Sequence, residues 1–219
     1  MTRKKHKSLK TRLLASLPSK FLKNKDGIAA IEFAFIAPVM LFMYFGMAEV
    51  ATAISVDRQV SHSANVAGDL ATQSETVSVD EMSEIMTATM MTMGIPSSKQ
   101  NKVKIEISSY ARASDDSIIQ KGRATLNGPF PSTFDASKLD TRILSSTSGI
   151  VVARVIYGYE PLKLRYMQSD IDLKETFMLK PRKSANVDIE DNSGGTPSNN
   201  YSCVFSGGKP SCSANGNVS

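Results

Sequence analysis

The sequence predicts an α+β protein. Its parts are a single N-terminal transmembrane helix that extends beyond the membrane, a second short helix, a small antiparallel sheet of about four strands and a disordered C-terminal tail. Three observations predict this plan. From Ile28 to Ala48 the chain is apolar, with Glu32 the one charged residue. Apolar residues then recur at helical spacing as far as Met93, and from Lys102 the period switches to two, as in a strand. Beyond Ser184 the composition turns to Ser, Gly, Asn and Pro. The expected segments are a basic leader at 1–27, a transmembrane helix at 28–48, a soluble α+β domain at 49–183 and a tail at 184–219.

The leader carries the charge of the chain. Residues 1–26 hold nine Lys and Arg against Asp26, so the remainder is acidic although the total is +5. A local basic block beside an apolar run is what the positive-inside rule places on the cytoplasmic side, and it argues against nucleic-acid binding. It would also attract anionic lipid headgroups. Leu13, Leu14, Leu17 and Phe21 suggest a short interfacial helix within it. A secretory signal would have a shorter apolar core, with its cleavage site after that core.

The apolar run extends roughly 31 Å at about 1.5 Å per residue, the thickness of a hydrocarbon core. Within it, Glu32 either snorkels to the interface or marks function, because an ionisable group inside a span is costly. Pro38 removes one backbone donor and predicts a kink, which is either harmless or a place where the helix loosens. Ala34, Ala37 and Gly46 permit close approach of another helix.

After Glu49 the positions Ala53, Val56, Val60, Ala64, Ala67 and Ala71 form a thin apolar stripe, so the helix is expected to run on to about Ala71. His62 reads as a helix-surface residue, not a ligand. Ser78-Val79-Asp80-Glu81 has the pattern of a capping box. Val79, Met82, Met86, Met90 and Met93 follow as the apolar face of a second helix, stopped by Gly94 and Pro96. With no His or Cys beside them, these methionines read as adaptable core and not as a copper site.

Val103, Ile105 and Ile107 alternate with Lys104, Glu106 and Ser108, which predicts a half-buried strand. Asp115-Asp116 marks a turn, and Ile118–Leu126 a second strand. Asn127-Gly128-Pro129-Phe130-Pro131 ends it, and 127–148 is a Ser/Thr-rich connection. Gly149–Tyr159 is the most apolar strand, closed by Pro161, and Lys174–Lys180 is the last expected strand. The tail has too few apolar residues to offset the entropy of ordering. Cys203 and Cys212 lie within it, and an oxidising compartment would join them in a disulfide.

Gly27 followed by Glu32, at the head of an apolar helix, resembles the processing site of type IV prepilins. More narrowly, Ala29-Ala30-Ile31-Glu32-Phe33-Ala34 with Ala37-Pro38-Val39 looks like the TadE-like minor pseudopilins of tight-adherence (Tad/Flp) pilus machinery. Val151–Leu162, followed by Phe177-Met178-Leu179-Lys180-Pro181-Arg182, looks like the end of the TadE-like domain. The resemblance covers roughly residues 27–182. This chain departs from it by a longer Ser-rich connection and an added tail.

The resemblance implies a prepilin peptidase that cuts between Gly27 and Ile28, with Glu32 and Phe33 taking part in recognition or assembly. It implies that Glu32 of one subunit faces the new Ile28 amine of its neighbour. Implied partners are other pilins or pseudopilins, the inner-membrane assembly proteins of the pilus machine, and the lipid bilayer. The implied location is the bacterial inner membrane, with a cytoplasmic N-terminus and a periplasmic domain. No catalytic constellation, phosphate-cradling glycine motif or cofactor motif is apparent, so the chain is not expected to be an enzyme. The competing reading is an uncleaved signal-anchor protein whose periplasmic domain binds a ligand or envelope partner.

Overall fold

The computed structural model describes residues 27–132, 134–139, 143–144, 148–161, 170–190, 200–206 and 208–214. The expectations for residues 1–26, including the interfacial helix, lie outside the described residues. The chain divides into two compact units, residues 1–48 and 49–219.

Helix α1 covers Ile28–Ala71. In the second unit its thin stripe is the buried face: Val60, Ala64, Ala67 and Ala71 are buried, Ala53 and Val56 are half-buried, and His62 is exposed. Gly68 faces the sheet at close range. A Cβ there would lie 2.4 Å from Leu179 Cδ1 and 3.3 Å from Ala153 Cβ, so glycine lets the helix close onto the sheet. The buried Ser63 hydroxyl is satisfied within the helix, donating to the Val60 carbonyl at 2.7 Å.

Helix α2 covers Val79–Met93 and begins with the capping box: the Glu81 amide donates to Ser78 Oγ, and the Ser78 amide donates to the Glu81 carboxylate. Gly94 closes it in the left-handed region, φ 60°. Met82, Met86, Met90 and Met93 are buried in the main core. Unbranched and flexible, they fill the irregular space between helix and sheet.

Six strands form one sheet. They are β2 Val103–Arg112, β3 Ile118–Leu126, β4 Gly149–Tyr159, β5 Ile171–Leu179, β7 Asn200–Ser206 and β8 Lys209–Ala214, in the order β5-β4-β2-β3-β7-β8. All neighbours are antiparallel except β3 and β7. The four expected strands form the block β5-β4-β2-β3. The two added strands come from the tail, so the expectation of disorder across 184–219 is corrected for 184–190, 200–206 and 208–214. Residues 191–199, 207 and 215–219 lie outside the description.

The tail is held in two places. A strap at 184–190 crosses the sheet, with Val187 and Ile189 buried. Its strand β6, Asp188–Ile189, pairs in parallel with β1, Thr76–Val77. The Asp188 amide donates to the Glu75 carbonyl at 3.0 Å, and the Glu190 amide to the Val77 carbonyl at 3.3 Å. Ser109 Oγ donates to the Val187 carbonyl from below. The second anchor is the β7–β8 hairpin, where Cys203 and Cys212 are cross-strand partners joined by a disulfide. Cys203 is fully buried, and Ser83 of α2 donates to the Pro210 carbonyl at 2.6 Å. Main-chain ladder bonds do not depend on side-chain polarity. A Ser/Gly-rich segment can therefore join a sheet edge when a few apolar residues and a crosslink offset its entropy.

The half-buried alternation expected for β2 is also corrected, because both faces are covered. Val103, Ile105 and Ile107 meet the helices in the main core. On the other face, Tyr110, Ile150 and Val152 pack with Leu139 and Leu144 of the 127–148 connection in a second cluster. Glu106 on that face is only 1% exposed. Two arginines satisfy it. Arg154 Nε donates to Oε1 at 2.9 Å, and Arg123 Nε donates to Oε2 at 2.9 Å. Register explains the pairing, since Arg154 lies directly opposite Glu106 and Arg123 lies opposite Ser108, two residues further along β2. The Arg154 guanidinium also stacks over the Phe130 ring at 4.2 Å.

Candidate processing and assembly segment

The first unit presents the residues singled out for processing and assembly. From Gly27 to Ala48 every residue is exposed except Ala37, which is half-buried. Phe33 is 69% exposed and Phe35 74%. A helix that is apolar all round and uncovered by the other described residues is suited to cover by lipid or by other subunits. At 44 residues α1 is long and apolar enough to cross a membrane.

Gly27 sits just before the helix, and the Ile31 amide donates to its carbonyl at 3.1 Å. A Cβ at Gly27 would meet nothing within 4 Å. The described fold therefore does not require glycine at that position. Ile28 and Glu32 are one helical turn apart and both exposed. Pro38 lies within α1, which stays helical across it. A side chain at Gly46 would also meet nothing within 4 Å.

The later motif residues fall in the second unit. Gly149–Tyr159 is β4, paired with β5 from Val151 to Tyr159. Glu160 at its end accepts from Lys102 and lies 3.7 Å from Lys99. That hydrogen bond raises the Lys102 pKa, because it favours the charged ammonium. Leu162 lies outside the described residues. Lys180-Pro181-Arg182 follows β5 and turns back to the end of α1. There the Arg182 amide donates to the Thr72 carbonyl at 3.1 Å, and its guanidinium pairs with Asp69. The triplet thus fastens the last turn of α1 to the outer strand.

Sequence reasoning missed that clamp and the Glu106–Arg123–Arg154 cluster. A signal for the cluster exists: Arg154 is the one charged residue in Gly149–Tyr159, and so apolar a strand needs a carboxylate partner such as Glu106. Among the described residues, no group of three or more His, Cys, Asp or Glu is arranged to hold a metal.

Residues 27–69 match the family model described as TadE-like protein. No curated protein and no solved structure gives a match. The family match suggests a component associated with Tad pili. The matched segment runs from Gly27, just before α1, to Asp69 in its last turn.

Proposed function

We propose that this chain is a minor pseudopilin-like structural component, without catalytic activity, of a tight-adherence pilus or secretion apparatus. A prepilin peptidase cuts after Gly27, and the protein assembles through the helix that begins at Ile28. The N-terminus lies in the cytoplasm before cleavage, and residues 49–219 lie in the periplasm. Partners are the peptidase, other pilins or pseudopilins, and the inner-membrane assembly proteins. The observation that carries the reading is an uncovered apolar helix with a carboxylate one turn from its start, inside a TadE-like segment.

The physical argument concerns charge. Glu32 in hydrocarbon is costly without a partner. Cleavage frees the Ile28 amine and removes the carbonyl that accepts from the Ile31 amide. The new helix end then carries a cationic amine and unpaired N–H groups, a positive site. Glu32 of an adjacent subunit satisfies that site, and pairing favours one axial stagger between the two helices.

The test is the N-terminus of protein extracted from its native envelope. Ile28 as the first residue is expected. An intact basic segment would overturn the reading in favour of an uncleaved signal anchor with a periplasmic binding domain. Gly27→Ala should leave the leader attached without disturbing the fold, given the open space around Gly27. Glu32→Gln should lower incorporation into the pilus machine while the monomer stays folded, and unchanged piliation would refute the pairing.

A further inference from the structure

We propose that the sheet face opposite the helices carries a binding site for a carboxylate, centred on Arg123. A cavity of about 390 Å³ opens there, lined by Arg123, Thr125, Gly128, Pro129, Asn200 and Ser202 among others. The parallel pairing of β3 with β7 builds it. Arg123 is the register partner of Asn200, and Thr125 that of Ser202, so four polar side chains stand in two adjacent pairs on one face. Gly128 and Pro129 form the rim where β3 ends.

Charge selects the ligand class. The Glu106 carboxylate accepts from both Arg123 and Arg154, one guanidinium at each oxygen. Two permanent cations against one carboxylate leave one excess positive charge. Arg154 is 6% exposed at its side chain and lies under Phe130, so it offers no access. Arg123 is 30% exposed at its side chain and lines the cavity, so the excess charge reaches solvent there.

Arg123 commits Nε and Nη2 to Glu106. A guanidinium has five N–H donors, so others remain for a second anion, and its planar fork matches a carboxylate. Lys104 adds a cation at the rim, donating to the Pro129 carbonyl at 3.3 Å. The rest of the lining is uncharged, with Thr125, Asn200 and Ser202 beside Gly128, Pro129 and Tyr201, which suits a single negative charge. Glu106 fixes the guanidinium before the ligand arrives, and this lowers the ordering cost of binding.

The carboxylate could be a free small acid or one displayed by an acidic peptide. The site does not depend on leader cleavage or pilus assembly, so it can be tested on the isolated full chain in nanodiscs. Arginine side-chain NMR would follow Arg123 Nε during titration with sodium acetate, an acetylated Gly-Glu dipeptide amide, which like acetate carries one carboxylate, sodium phosphate, and sodium chloride as the ionic-strength control. A saturable shift with acetate and dipeptide, absent with chloride, is expected. If the dipeptide saturates at a tenfold or lower concentration than acetate, the source is a peptide. Equal saturation identifies a free acid.

Arg123→Gln should abolish the response, read on backbone amides of β3 and β7. Should that variant unfold, Ser202→Leu obstructs the cavity without touching the charged cluster and should weaken binding at least tenfold. Tighter binding of phosphate than of either carboxylate, shifts equal to those with chloride, or unchanged binding in Ser202→Leu would each overturn the proposal.

Discussion

Gly122→Ala tests the ordering of the tail, because Gly122 lies directly beneath the strap. A Cβ there would fall 2.4 Å from Ile189 Cβ, 2.8 Å from the Ile189 carbonyl oxygen and 3.1 Å from Ile189 Cα. Two of these are backbone atoms, so rotating a side chain cannot relieve the contact. Carbon pairs rest at roughly 3.5–4.0 Å, and the strap must therefore recede by about 1 Å or more. The two amide bonds to Glu75 and Val77, at 3.0 and 3.3 Å, then pass beyond hydrogen-bonding distance. Each contributes about 0.5–1.5 kcal/mol net. Overpacking by itself costs about 1–3 kcal/mol. Because retreat of the strap relieves the overpacking, the two do not add in full, and about 2–4 kcal/mol is expected.

The assay is amide hydrogen exchange at Asp188 and Glu190 in the full chain. Their protection should fall by about 30- to 1,000-fold at 1.36 kcal/mol per decade. Gly158→Ala is the matched control, since a Cβ there meets only Lys102 Cβ, at 3.9 Å. It should leave strap protection unchanged. If Gly122→Ala and Gly158→Ala behave alike, the strap does not lie against β3 and the account of the tail fails.

Three further outcomes are expected. Glu106→Ala strands buried Arg154 without its acceptor, while partly exposed Arg123 can turn toward water. A loss of about 3–5 kcal/mol is expected, read by exchange at β2 and β4 amides, and a change below about 1 kcal/mol would refute the cluster. Replacing Cys203 and Cys212 by Ser opens a short crosslinked loop, with an expected loss of about 2–3 kcal/mol by the chain-entropy relation. Faster exchange should concentrate in β7 and β8, whereas uniform loss across the sheet would contradict a local role. Asp115 accepts from the Ser117 hydroxyl and amide, which lowers its pKa. Its contribution to the turn is present above the ordinary carboxylate range and is lost as pH falls through the depressed folded value. Ser117→Ala should move that titration upward by carboxyl NMR, and no movement would refute the assignment.

Features encoded by neighbours in sequence were legible without coordinates. The capping box at Ser78, the stop at Gly94, the stripe from Ala53 to Ala71 and the bounds of Ile118–Leu126 and Gly149–Tyr159 depend on periodicity and local hydrogen bonding. The uncovered apolar segment with Glu32 was legible for the same reason, since its length and charge are linear properties. The tertiary structure decided what each surface meets. Glu106 looked like the solvent side of a strand, but the 127–148 connection and two arginines from other strands cover it. The tail looked too polar to order. It orders in part because β3 offers an open edge, Gly122 leaves room for Ile189, and a crosslink joins its two strands. None of these partners is adjacent in the chain, and the benefit of long-range pairing appears only once the sheet exists to receive it.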